Sequence, residues 1–164
     1  MSGGHRARLR SRMLSLRSDS YRSATPGPQN VPMTITYSWR GEFEKGEVNA
    51  LHAEGFDHRL VDDDIHAILH RHSLGWVIAR DADELVGFVN VAWDGLVHAF
   101  ILDTLVAERA RHHGIGTQLI VEATDGARSA GCEWLHVDFD HDLEGFYVEA
   151  CGFRPTRAGL IKLR

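Results

Sequence analysis

The segment Arg109-Ala110-Arg111-His112-His113-Gly114-Ile115-Gly116-Thr117 holds the residue types and spacing best suited to gripping a ligand. Two glycines let a backbone come close to another group, and a helix starting beside them leaves its first amide N–H groups without intrahelical acceptors. Such amides, aligned with the helix dipole, suit an anion such as a pyrophosphate. Two nucleotide motifs are excluded. A dinucleotide fingerprint needs a third glycine where Leu119 stands, and a Walker loop needs a Lys followed by Ser or Thr, which is missing here. Taken alone, the two glycines also fit an ordinary strand-to-helix turn. Other reactive residues carry less. Among the eleven histidines, His66 and His70 fall on one helical face, but Ala67 stands where a zinc protease has its Glu and no third ligand is near. Surface histidines and no metal are expected. Cys132 and Cys151 lack metal or redox spacing and read as small packed residues, while Asp62–Asp64 reads as a solvated helix start.

The elements that must position the glycine loop follow from periodicity. Thr34–Trp39 alternates as a first strand, and Glu42–Phe56 and Asp62–His72 carry helical stripes. Trp76–Ala79 and Leu85–Trp93 form a hairpin-like pair of strands, and Ala99–Val106 is a nearly apolar run expected to be covered on both faces. Ile115, Leu119, Ile120, Ala123 and Ala127 recur at helical spacing up to Gly131, with Gly126 a weak point costing about 1 kcal/mol relative to Ala. Trp134–Phe139 returns to strand character, Leu143–Cys151 reads as a helix, and Gly152–Leu163 as two short terminal strands. The order predicts a mixed α/β sheet without internal repeats.

Composition narrows the class. The chain has 164 residues, 43% hydrophobic and 25% charged, which suits one globular domain. No apolar run reaches the length of a membrane span, and two cysteines are no disulfide framework, so a cytoplasmic location is expected. The net charge of −5 is uneven: residues 1–32 hold six Arg against the single acid Asp19, leaving −10 on the remainder. An acidic body does not favour nucleic acid. With few apolar residues and the run Thr25-Pro26-Gly27-Pro28, residues 1–32 read as a disordered Arg-rich extension before a working domain at 33–164. The extension also has the composition of an organelle transit peptide or of a segment binding RNA or an anionic surface.

A second segment lies downstream: Phe146-Tyr147, then Cys151-Gly152-Phe153 and Pro155. Arg111-x-x-Gly114-x-Gly116 after an apolar strand, followed by this aromatic segment, resembles the GNAT superfamily of acyl-CoA-dependent N-acetyltransferases. The resemblance spans roughly residues 34–164 in element order and 98–156 in motif detail. It implies a mostly antiparallel sheet of six to seven strands flanked by about four helices and splayed between strands four and five.

The resemblance also implies roles. The loop His112, His113, Gly114, Ile115, Gly116 and Thr117 would hold the coenzyme A pyrophosphate through backbone amides, with Arg111 supporting the phosphates. Leu105, Val106 and Ala107 would run beside the pantetheine arm, an amide near Val106 polarising the thioester carbonyl. Tyr147 matches the position that commonly protonates the leaving thiolate, although a packed aromatic is the alternative. Asp140 stands where the family often has an Asn, a departure that weakens its assignment. Asp103 would accept the amine's proton, burial raising its pKa, in competition with Glu54, Asp94, His98 and Asp138.

The implied activity is acetyl transfer from acetyl-CoA to a primary amine of a small molecule or peptide, by direct attack in a ternary complex. Two rivals stay open: a non-catalytic acyl-CoA-binding module, and an RNA- or surface-associated protein acting through its Arg-rich tail. No membrane or nucleic-acid partner is expected for the domain, and the family commonly forms homodimers.

Overall fold

The computed structural model describes residues 33–163, so the expected Arg-rich extension lies outside the described residues. Five strands form one sheet in chain order: β1 Ile35–Trp39, β2 Ser73–Asp81, β3 Glu84–Trp93, β4 His98–Val106 and β5 Trp134–Val137. The first three pairings are antiparallel and β4–β5 is parallel. Three α-helices, α1 Lys45–Gly55, α2 Ile65–His72 and α3 Ile115–Ser129, accompany a π-helical segment, Gly145–Ala150. The mixed α/β architecture is the one the sequence predicts.

Local chemistry explains where the helices start. Glu47 accepts the Glu44 N–H at 2.9 Å before α1, and the Asp64 carboxylate accepts the Ala67 N–H at 3.2 Å before α2. The Asp62–Asp64 run is thus the approach to a cap. Helix α3 buries Ile115, Leu119, Ile120, Ala123 and Ala127 along one stripe. Strands β2 and β3 are buried almost throughout, as strands covered on both faces must be. Gly87 in β3 faces Leu119 and Ile115 of α3, whereas the neighbouring Phe88 packs edge-on to Phe43 before α1. Alternation therefore puts α3 and α1 on opposite faces of the sheet.

Three expectations are corrected. The sheet has five strands because Gly152–Leu163 makes no sheet pairing; Leu160, Ile161 and Leu163 are more than 80% exposed. Apolar character without a partner strand leaves the segment extended but unpaired. Leu143–Cys151 is a 3-10 turn, His141–Leu143, followed by the π-helical segment, whose aromatic neighbours Phe146 and Tyr147 lie with ring centroids 4.7 Å apart. Finally, β4 is not covered on both faces: Phe100 and Leu102 are 41% and 46% exposed.

Gly126 has a role beyond a weak helix position. A Cβ there would lie 2.5 Å from the Trp39 ring, and one at Gly75 would lie 2.3 Å from the same ring. Trp39 is thus seated between β2 and α3 on two bare backbones. Gly126→Ala should consequently destabilise the fold by about 1–3 kcal/mol through overpacking, despite a gain in helix propensity of about 1 kcal/mol. Urea unfolding tests this; a variant more stable than the parent would show that Trp39 moves aside freely.

Candidate active site

The site grows from an irregularity in β4. Phe88 pairs with Leu105 but Asn90 pairs with Leu102, so Val89 faces two residues, Asp103 and Thr104. This is a β-bulge, and Asp103 adopts φ 51°, a left-handed conformation that Asp tolerates better than most residues. Parallel pairing with β5 covers only His98–Ile101. Beyond the bulge β4 and β5 separate, which is the splay expected between strands four and five.

The ladder decides which groups face that opening. The Ala107 N–H donates to Val86 O at 2.9 Å, so Ala107 is committed to β3. Antiparallel alternation then turns the N–H and C=O of Val106 away from β3, toward the gap left by β5. The Val106 carbonyl accepts Arg111 Nε–H at 3.1 Å, in agreement with that direction. The amides of Leu105 and Ala107 alternate the other way, toward β3, so of Leu105, Val106 and Ala107 only Val106 offers a backbone amide to the slot.

The glycine loop leads from this strand into α3. His112 and Gly114 have φ 65° and 78°, and Gly114 is the N-cap residue of α3. The first ladder bond of the helix runs from Gln118 N–H to Gly114 O at 3.1 Å. The N–H groups of Ile115, Gly116 and Thr117 therefore begin without helical acceptors. Arg111, His112, His113 and Gly114 are exposed, and the Ile115 side chain is buried in the core. His113 turns back, its Nδ1 2.7 Å from Arg111 O. Gly116 does not face open space: a Cβ there would lie 3.1 Å from the Phe146 ring and 3.7 Å from Val106.

Tyr147 lies in the slot wall. It is 6% exposed, stacked on Phe139 and edge-on to Phe146 and Phe153. Burial pushes its phenol up, a rise that the neighbouring Thr104 hydroxyl offsets in part. Thr104 Oγ1 completes no hydrogen bond; it is the buried side-chain oxygen left without a partner among the described residues. Burial also raises the Cys151 thiol, against which the Thr117 hydroxyl rests. Strand β4, the first turn of α3 and the π-helical segment thus meet at Thr104, Tyr147 and Thr117. Neither Thr104 nor Phe146 was marked as functional from sequence, and only adjacency to Asp103 and Tyr147 could have signalled them.

Carboxylates sort differently from the sequence expectation. Asp103 is not buried in an apolar strand; a third of its side chain is exposed, and it looks toward α1, where His52 Nε2 lies 3.7 Å away. Glu54 is used structurally, its carboxylate accepting the Glu108 N–H at 2.5 Å. Asp94 accepts the Leu96 and His98 N–H groups, which hold its carboxyl below the usual range. His98 pairs with His136 at 2.8 Å, while Asp138 and Asp140 are exposed. Asp140 holds a 3-10 turn through its carbonyl, which accepts the Leu143 N–H, and its side chain makes no hydrogen bond or ion pair among the described residues. His66 stacks on Phe43 and His70 sits edge-on to Trp76, and no group of three metal-ligating side chains occurs among the described residues. No helix among them is long and apolar enough to cross a membrane.

Residues 35–153 match the model of the acetyltransferase (GNAT) family. No curated protein matches the sequence significantly. Among solved structures, a GNAT-family acetyltransferase from Streptococcus pneumoniae TIGR4 is 24% identical with a TM-score of 0.63, covering 80% of this chain and 98% of its own. Glucosamine-6-phosphate N-acetyltransferase from Arabidopsis thaliana is 17% identical with a TM-score of 0.60, covering 77% of this chain and 97% of its own. The enzyme AAC(6')-Iy, in complex with the bisubstrate analogue CoA-S-monomethyl-acetylneamine, is 17% identical with a TM-score of 0.63, over 80% and 98% of the two chains. At these identities the likeness establishes the fold.

Proposed function

Since the chain belongs to the acetyltransferase (GNAT) family, we propose that it transfers an acetyl group from acetyl-CoA to a primary amine of a small molecule or peptide, by direct attack within a ternary complex. The observation that carries this reading is the slot beyond the β4 bulge. It offers an unpaired strand amide, an unpartnered buried hydroxyl and, where β4 leads into α3, the open N-terminus of that helix. The residues fit the donor. The amides of Ile115, Gly116 and Thr117, continued by the exposed loop His112–Gly114 and Arg111, would hold a pyrophosphate. An extended arm would lie along the outward edge of Val106, as an added strand does.

Bound acetyl-CoA supplies an activated thioester carbonyl. The Val106 N–H is directed to polarise that carbonyl by a fixed dipole. The Tyr147 phenol, kept protonated by burial, donates to the departing sulfur, with the unpartnered Thr104 Oγ1 beside it. Asp103, partly exposed on the α1 side of the bulge, would receive the amine there. That some similar structures are named for amino-sugar or aminoglycoside acetylation supports an amine acceptor.

Calorimetric titration of the full-length protein with acetyl-CoA, coenzyme A and ATP tests the donor site, followed by thiol release with a diamine, an amino sugar and a dipeptide. Selective binding of the coenzyme A compounds with amine-dependent thiol release is expected. Binding without release would favour the non-catalytic module, and no binding would remove the donor site altogether.

A further inference from the structure

We propose that His52 is the proton acceptor for the incoming amine, poised for that role by a histidine pair that fixes its tautomer. The inference rests on the acetyl-transfer reading above and names a base for it. Four groups form a line away from the bulge: Asp103 on β4, His52 in the last turn of α1, His58 in the segment after α1, and the Arg59 backbone carbonyl. His52 Nε2 lies 3.7 Å from Asp103 Oδ1, His52 Nδ1 lies 2.7 Å from His58 Nε2, and His58 Nδ1 lies 2.7 Å from Arg59 O.

The far end of this line determines the near end. A carbonyl oxygen can only accept, so His58 Nδ1 carries a hydrogen and donates it to Arg59 O. In neutral His58 the other nitrogen, Nε2, is then a bare acceptor, and the 2.7 Å contact requires His52 to donate from Nδ1. Neutral His52 consequently presents Nε2 with its lone pair free, facing Asp103 across 3.7 Å. Two acceptors at that separation do not bond to each other. They do match a donor placed between them, as the N–H of an ammonium would be. Phe56 packs against the His52 ring with centroids 4.7 Å apart, keeping the imidazole from turning away.

The titratable groups in contact with His52 are Asp103 from β4 and His58 from the following segment, and its one ion-pair partner among the described residues is Asp103. A proton arriving on Nε2 would therefore meet a carboxylate countercharge, while His58 is exposed and can pass a proton to water. The step balances. An N–H bond of the ammonium breaks, its proton bonds to His52 Nε2, and the electron pair stays on nitrogen. That pair forms the new C–N bond as the C–S bond breaks, and the second proton lost by nitrogen ends on the thiol with the Tyr147 phenol as carrier. Asp103 is thereby a positioning residue for the amine and the imidazolium, and His52 performs the proton transfer that the sequence reading gives to Asp103.

Long-range proton–nitrogen correlation spectra of the isotope-labelled full-length protein read the tautomers directly. We expect both His52 and His58 in the Nδ1–H form, and His52 to lose that preference in His58→Ala. A His52 found in the Nε2–H form overturns the proposal. In the amine assay His52→Gln, which keeps the helix but cannot take a proton, should lower kcat by about 100-fold or more, with acetyl-CoA affinity changed less than about twofold. His52→Ala should regain activity on addition of imidazole, a response that a packing role would not give. Unchanged kcat in His52→Gln, or no recovery with imidazole, overturns the proposal. Failure of the parent protein to bind acetyl-CoA or to release thiol with any of the amines would instead overturn the acetyl-transfer reading, while the tautomer spectrum still decides the histidine line.

Discussion

Gly116→Asp should weaken acetyl-CoA binding by about 100-fold or more, equivalent to about 3 kcal/mol. Two effects act in the same direction. The new Cβ would stand 3.1 Å from the Phe146 ring and 3.7 Å from Val106, tight enough that the aromatic must give way at the point where α3 meets the slot. Overpacking of that kind costs about 1–3 kcal/mol. The carboxylate beyond it would lie among the free amides of the first helical turn and compete with a phosphate for them. The same carboxylate favours the helix N-terminus, so the loss of affinity should exceed the loss of stability. Gly116→Ala separates the contributions, because it brings the crowding without the charge. Calorimetry on both variants checks the argument, and an affinity within threefold of the parent for Gly116→Asp would mean that the pyrophosphate does not approach this turn.

For Tyr147→Phe the expected result is a fall in kcat of about 100-fold with nearly unchanged coenzyme affinity. The ring keeps its neighbours Phe139, Phe146 and Phe153, so the variant should fold as the parent does. What disappears is a proton donor. Burial raises the phenol above its usual value near 10, so the protonated form persists throughout the neutral range and is lost only as the pH rises beyond that value. Thr104 Oγ1, already unpartnered, would then face a bare ring. Steady-state kinetics with the amine that turns over decides the matter; full activity would reduce Tyr147 to a packing residue.

Periodic segments were legible in sequence, and contacts across the chain were not. The stripe Ile115, Leu119, Ile120, Ala123 and Ala127 announced α3 because one helix face buries all five. The loop before it was legible because glycine has a backbone meaning independent of its neighbours. The bulge was not, since Asp103 shows φ 51° only in the pairing of β4 with β3, a long-range fact. Glu54 and Asp94 compete with Asp103 as candidate bases in the sequence because it does not reveal which backbone amides a carboxylate will satisfy. His52 and His58 carry no sequence signal for the same reason: their partners are a strand 51 residues onward and a backbone carbonyl. Terminal residues 152–163 misled in the opposite way, offering strand-forming types without a strand beside them.

The parallel pairing of β4 with β5 also governs the order of events in time. Strands β1 to β4 are neighbours in space in the order of the chain, and β2 and β3 need only a tight turn between them. Strand β5 can join only after the chain has wound the whole of α3 and returned, so its contacts, like those of β1 across residues 40–72, require closure of a longer loop than the β2–β3 and β3–β4 turns do. The β2–β4 meander can therefore collapse early, with the slot taking shape at a later stage of folding. A ligand seated between β4, α3 and the π-helical segment would bind contacts that are largely absent from the transition state. It would act as a brake on unfolding and leave the folding rate almost untouched.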